Sequence, residues 1–151
     1  MKKIAIIIAS HQGLAQALTI HRELPETELF YAGEGQENPC TSINSIPAFV
    51  ATNFTCYEGL VFIGALGICV RSIAPCIHSK YTDPAVVNID STGKHVISVL
   101  SGHVGGANEL TRRLASILGA APVITTQSDN NDLWALDTIH ERFEGWIPEP
   151  V

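Results

Sequence analysis

A chain of 151 residues and 16.2 kDa, 46% hydrophobic and 16% charged, has the size and apolar content of one folded domain, which excludes wholesale disorder and any need for a disulfide or metal staple. The net charge of −6 is spread unevenly: residues 64–113 carry five bases (Arg71, Lys80, Lys94, Arg112, Arg113) against three acids (Asp83, Asp90, Glu109), a +2 island in an acidic chain. An acidic whole excludes a general nucleic-acid surface, and no apolar run is long enough for a membrane span, so no nucleic acid and no membrane is expected as partner; the basic island admits a small anionic ligand.

Residues 3–9 (K-I-A-I-I-I-A) predict a strand buried on both faces, as in a parallel sheet. A turn at 10–13 leads to a helix over 14–24, stopped by Pro25. Residues 29–32 predict a second strand, 33–39 a polar loop, 46–57 a helix with Pro47 in its first turn, and 60–63 a third buried strand. Gly64-Ala65-Leu66-Gly67 follows directly, then a short helix over 68–74 ended by Pro75. A loop at 79–84 precedes a strand over 85–90, a hairpin turn at 91–94 and a strand over 95–100. The glycine-rich loop 101–106 opens an amphipathic helix over 107–118, capped by Gly119. A short strand begins at 122–124, residues 131–143 read as helix, and the end is extended.

Alternation of strands and helices predicts an α/β fold: an open, mainly parallel sheet with helices on both faces and one β-hairpin. One domain over 1–143 is expected, with 144–151 as an extended tail or the start of a linker. The opening lacks the apolar length and cleavage site of a secretory leader. None of Cys40, Cys56, Cys69 and Cys76 forms a C-x-x-C pair, so no metal site is expected; Cys56, Cys69 and Cys76 lie in apolar stretches and read as core residues. Reduced thiols fit a cytoplasmic location.

Ligands of open α/β sheets sit beyond the carboxyl ends of strands, which makes the loops 10–13, 64–67, 79–84 and 101–106 candidates. In the last, His103 stands between glycines ahead of a helix, where an imidazole can act as general base or acid and the amides of Gly105 and Gly106 can meet a developing oxyanion. Alternatively, His103 only bonds its own loop. Lys80 can neutralise a ligand carboxylate. Asp83 can orient His103 or activate water, or Asp83-Pro84 is plain turn chemistry. Arg71, on the helix after Gly67, can fork onto a carboxylate, and His11 can reach the same crevice. Neither glycine loop fits a nucleotide-binding pattern.

Three segments then carry a resemblance. Residues 64–75 (G-A-L-G-I-C-V-R-S-I-A-P), 80–87 (K-Y-T-D-P-A-V-V) and 98–108 (S-V-L-S-G-H-V-G-G-A-N) resemble, in the same order, the G-x-x-G-I-x-V-R-x-I-A-P, K-x-x-D-P-A-V-V and S-x-L-S-G-H-x-G-G-A-N segments of the CbiG family. The resemblance covers mainly residues 60–130. It implies the N-terminal part of a cobalt-precorrin-5A hydrolase of anaerobic cobalamin (vitamin B12) biosynthesis, which opens a lactone on the macrocycle and releases acetaldehyde. It implies a tetrapyrrole substrate that brings its own cobalt, no tightly bound cofactor, and a C-terminal CbiG domain as partner, without which the chain can be inactive. On these segments the expected substrate contacts are Gly64, Gly67, Arg71, Lys80, Tyr81, Thr82, Ser101, Gly102, Gly105, Gly106 and Asn108, with His103 and Asp83 as catalytic groups assigned on chemistry. The alternative is a non-catalytic module that binds a tetrapyrrole or small anion beside a separate catalytic domain.

Overall fold

The computed structural model describes residues 3–126. Strands β1 (Ile4–Ile8), β2 (Thr27–Tyr31), β3 (Thr41–Ser42), β4 (Gly59–Ile63), β5 (Ala85–Ile89), β6 (His95–Leu100) and β7 (Ala121–Val123) form one sheet in the order β3-β2-β1-β4-β5-β6-β7. The pairs from β3 through β5 are parallel, β6 is antiparallel to β5, and β7 runs parallel to β6.

The continuous apolar runs exist because the central strands are covered on both faces. Ile6, Ile8, Val61, Ile63, Val87 and Ile89 pack against α1 (Leu14–Glu23) and α4 (Ala107–Leu118). Ala5, Ile7, Leu60, Phe62 and Val86 pack on the other face, against α2 (Ile46–Asn53) and α3 (Leu66–Ile73). Each buried isoleucine contributes about 1.5–3 kcal/mol, so these runs dominate the stability of the sheet. The α/β architecture with helices on both faces agrees with the sequence reading.

Several local expectations are corrected. The two-residue β3 was not expected: it pairs only Thr41 and Ser42 with Phe30 and Tyr31, too short for any periodicity. Helix α2 begins as predicted, with the Ser45 hydroxyl accepting from Ala48 N at 3.2 Å and Pro47 in the first turn, but it ends at Asn53, not 57. Phe54 turns into the core, and the Tyr57 hydroxyl leaves the helix path to donate to Glu28 Oε1 at 2.7 Å. Cys56 is exposed, not core. Cys69 is buried, and burial pushes its thiol up to about 12, so it fills space as an inert side chain. The helix expected over 131–143, the extended end, and the boundary at 143 lie outside the described residues.

The hairpin between β5 and β6 turns on Asp90. Its carboxylate accepts from the Thr92 hydroxyl and from the backbone amides of Thr92 (3.2 Å), Lys94 (3.0 Å) and His95 (2.6 Å). Burial alone would raise this carboxyl; the hydrogen bonds outweigh that and hold it below its ordinary value. A depressed folded value stabilises the protein above the unfolded aspartate value of about 3.9, and that contribution disappears as pH falls through the folded value. Asp90→Asn is therefore expected to lower the urea midpoint at pH 7 and to leave it less sensitive to pH below about 4. Midpoint-versus-pH curves that run parallel for the two proteins would contradict this.

Candidate functional site

The antiparallel β6 decides where the predicted loops go. It starts beside the carboxyl end of β5 and finishes beside its start, with Leu100 opposite Val86. The loop 101–106 therefore lies at the amino ends of the parallel strands. The loop 79–84 leads into β5 and lies at that end too. Loops 10–13 and 64–67 lie at the carboxyl end, a five-residue strand away, on the order of 15 Å. The expectation of one crevice gathering all four loops is corrected: Gly64, Gly67 and His11 are at one end of the sheet, and Asp83 and His103 at the other. Arg71 stands between, exposed in the last turn of α3, where the chain heads through Pro75 toward the Asp83 loop.

At the amino end the two loops are joined. Asp83 is 7% exposed. Its Oδ1 accepts from His78 N at 3.1 Å, and its Oδ2 from His78 N at 2.9 Å and Ser79 N at 3.1 Å. Tyr81 N donates to the Ser79 hydroxyl, and Thr82 N to the Ser79 carbonyl, both at 3.1 Å. The carboxylate thus ties its own loop together, and Lys80, Tyr81 and Thr82 are left on the exposed rim. From the other side the Ser101 hydroxyl donates to the Asp83 carbonyl oxygen at 3.3 Å.

Ser101 has a left-handed backbone, φ 61°, which non-glycine residues seldom adopt. That twist turns the loop onto α4. The Ser101 and Gly102 carbonyls accept from Ala107 N and Asn108 N, each at 3.0 Å, so the loop backbone caps the helix in place of a side chain. Gly105 is required by close approach: a Cβ there would stand 2.4 Å from Ser101 Cβ. Gly106 has φ 86° and donates its N–H to the His103 carbonyl at 3.2 Å. The oxyanion role expected of both glycine amides is corrected by this bond: the Gly106 donor is engaged, whereas the Gly105 N–H has no acceptor among the described residues. The His103 side chain is exposed.

Asn108, expected to touch substrate, is 2% exposed. Its Oδ1 accepts from the Ser98 hydroxyl at 2.6 Å and its Nδ2 donates to Thr126 Oγ1 at 2.9 Å. Ser98 stands first in the 98–108 motif with no role expected of it, and Thr126 lies outside the three motif segments. The available signal was a serine between Ile97 and Val99 in an otherwise apolar strand.

The exposed side chains of these loops are of two kinds. Tyr81 (68% exposed) and Val104 (61%) are apolar surface, as is Ile77 just upstream, and Lys80 stands with its ammonium 5.3 Å from the Tyr81 ring centre. A cavity of about 410 Å³ opens on the other flank of the loop, beside Gly105 and Gly106; its polar wall is Glu26, Glu58 and Glu109 with Arg113. Three carboxylates against one guanidinium disfavour an anion, so an anionic ligand fits the rim of Lys80 and His103 better than this cavity. Among the described residues no helix is long and apolar enough to cross a membrane.

The family model described as "Cobalamin synthesis G N-terminal" matches residues 48–129. A cobalt-precorrin-5A hydrolase of Priestia megaterium is 41% identical over 151 residues, 96% of this chain and 40% of that protein. A cobalt-precorrin-5A hydrolase of Salmonella typhimurium is 63% identical over 86 residues, 57% of this chain and 24% of that protein. A crystal structure of a cobalamin biosynthesis protein G homolog from Sulfolobus solfataricus superposes with a TM-score of 0.63 at 31% identity, covering 86% of this chain and 39% of that one. The chain thus spans well under half the length of the relatives it matches.

Proposed function

The chain belongs to the CbiG family, and from that premise we propose that it forms part of a cobalt-precorrin-5A hydrolase, with its share of the site at the amino end of the sheet. The observation that carries the reading is the junction of two motif segments there: Ser101 Oγ bonded to the Asp83 carbonyl, with His103 and Val104 exposed on one loop and Lys80 and Tyr81 exposed on the other. A tetrapyrrole is a broad, partly apolar plate fringed with carboxylates. Tyr81 and Val104 offer apolar contact to such a plate, and Lys80 and Arg71 offer charge to its fringe.

In the proposed reaction His103 takes a proton from water as the water adds to the lactone carbonyl. The acyl C–O bond breaks, leaving a carboxylate and an alcohol. The protonated imidazole supplies the proton that makes this alcohol and, neutral again, takes the alcohol proton as the C–C bond to the macrocycle breaks; acetaldehyde leaves, the bonding electron pair stays on the macrocycle, and one water is consumed per acetaldehyde released. Cobalt belongs to the substrate. A cytoplasmic setting is part of the same proposal, supported by four free thiols.

A second reading is favoured by the engagement of Asp83 and Gly106 within their own loops: the chain is one wall of the site and a C-terminal domain completes it. The test is to mix cobalt-precorrin-5A with this chain and, separately, with the complete gene product, following the corrinoid spectrum, substrate mass and acetaldehyde. The chain alone is expected to shift the spectrum, and the complete protein to release acetaldehyde. An unshifted spectrum together with an unchanged mass in both samples would overturn the proposal.

A further inference from the structure

We propose that the hydrogen-bonded chain Ser98–Asn108–Thr126 is a positioning device that holds the His103 loop in its working geometry. The proposal rests on the reading of His103 given above. Ser98 lies on β6, Asn108 in the first turn of α4, and Thr126 three residues past β7, so three separate elements converge on one buried carboxamide. Asn108 suits the place because its side chain accepts and donates at once: Oδ1 takes the Ser98 hydroxyl at 2.6 Å, and Nδ2 gives to Thr126 Oγ1 at 2.9 Å. Its backbone N–H meanwhile binds the Gly102 carbonyl at 3.0 Å.

Gly102 is pressed onto this assembly. A Cβ on Gly102 would stand 2.8 Å from Asn108 Oδ1, 3.0 Å from Asn108 Nδ2 and 2.8 Å from Thr126 Cγ2. The residue preceding His103 is therefore located by the carboxamide, which Thr126 Oγ1 in turn holds, and Ser101 before it has a left-handed backbone. None of the three polar side chains needs to touch substrate. Their effect on the reaction passes through the position of His103, and a displacement of about 1 Å at a reacting group costs on the order of a hundredfold in rate.

Thr126→Val keeps the shape and deletes the acceptor; Thr126→Ser keeps the hydroxyl and deletes the methyl. In the complete gene product, Thr126→Val and Ser98→Ala are expected to lower kcat by about 10- to 100-fold with KM within about threefold, and Thr126→Ser to restore most of kcat. Amide hydrogen exchange in peptides covering residues 101–106 is expected to accelerate in Thr126→Val and Ser98→Ala, with β1 and β4 unchanged. Unaltered kcat and unaltered loop exchange in both variants would overturn the positioning role. If the wild-type protein proves unable to hydrolyse cobalt-precorrin-5A, the hydrolase reading fails by itself, and loop exchange with its rescue by serine still decides whether the chain holds the loop.

Discussion

His103→Ala is expected to reduce turnover of cobalt-precorrin-5A by the complete protein by about 10²–10⁴-fold, the usual worth of a general acid–base group, while corrinoid binding changes little. The direction follows from the surroundings. The ring is exposed at the rim, so its removal leaves no buried cavity, and the loop is held by backbone bonds at Ala107, Asn108 and Gly106 that do not involve the imidazole. Thermal stability is therefore expected to stay close to wild type, which separates a chemical defect from a folding one. His103→Gln, which keeps hydrogen bonding without proton transfer, is expected to be nearly as slow as alanine. Turnover within a few-fold of wild type in either variant would remove His103 from the mechanism and leave the exposed rim as a binding surface only.

Asp83→Ala should act in the opposite manner, on stability first. The substitution removes a side chain that is 7% exposed and leaves the amides of His78 and Ser79 without the acceptor they share. Stranding two such donors costs roughly 2–4 kcal/mol in all, and water reaching the opened loop can reduce this. Turnover is expected to fall with it, because Ser101 binds the Asp83 carbonyl and the His103 loop leans on that contact. Asp83→Asn separates the two roles weighed for this residue. The amide retains one oxygen that can accept from both donors, so a loop tie survives in part, and turnover at a temperature where the variant is folded is expected to drop by less than about tenfold. A loss as large as that of His103→Ala in fully folded Asp83→Asn would show that the carboxylate activates water directly.

Particular residues show how far the sequence carried the structure. Ile4 to Ile8, Gly59 to Ile63 and Ala85 to Ile89 are uninterrupted apolar stretches, and only burial on both faces of a parallel sheet accommodates them. The turn residues Ser91 to Lys94 specified the hairpin. That hairpin already implied that the His103 loop points away from the carboxyl edge, yet the general rule for α/β sheets placed all four loops there. The rule applies to strands that run parallel, and β6 does not. The end of α2 was out of reach for a different reason: Tyr57 is drawn away by Glu28, a residue 29 positions earlier in the chain.

The sequence alone determined the layered α/β architecture, the hairpin and the family signature, because hydrophobic period, turn chemistry and motif spacing are local properties that do not depend on what lies across the fold. The tertiary structure alone decided which signature residues share a site. It separated Gly64 and Gly67 from His103 by the length of a strand, turned Asp83 inward to tie its own loop, turned Asn108 inward to bind other elements, and recruited Ser98 and Thr126 to hold the His103 loop. Those outcomes depend on strand direction and on hydrogen bonds between elements distant in sequence, and buried polar groups must find such partners wherever the fold supplies them.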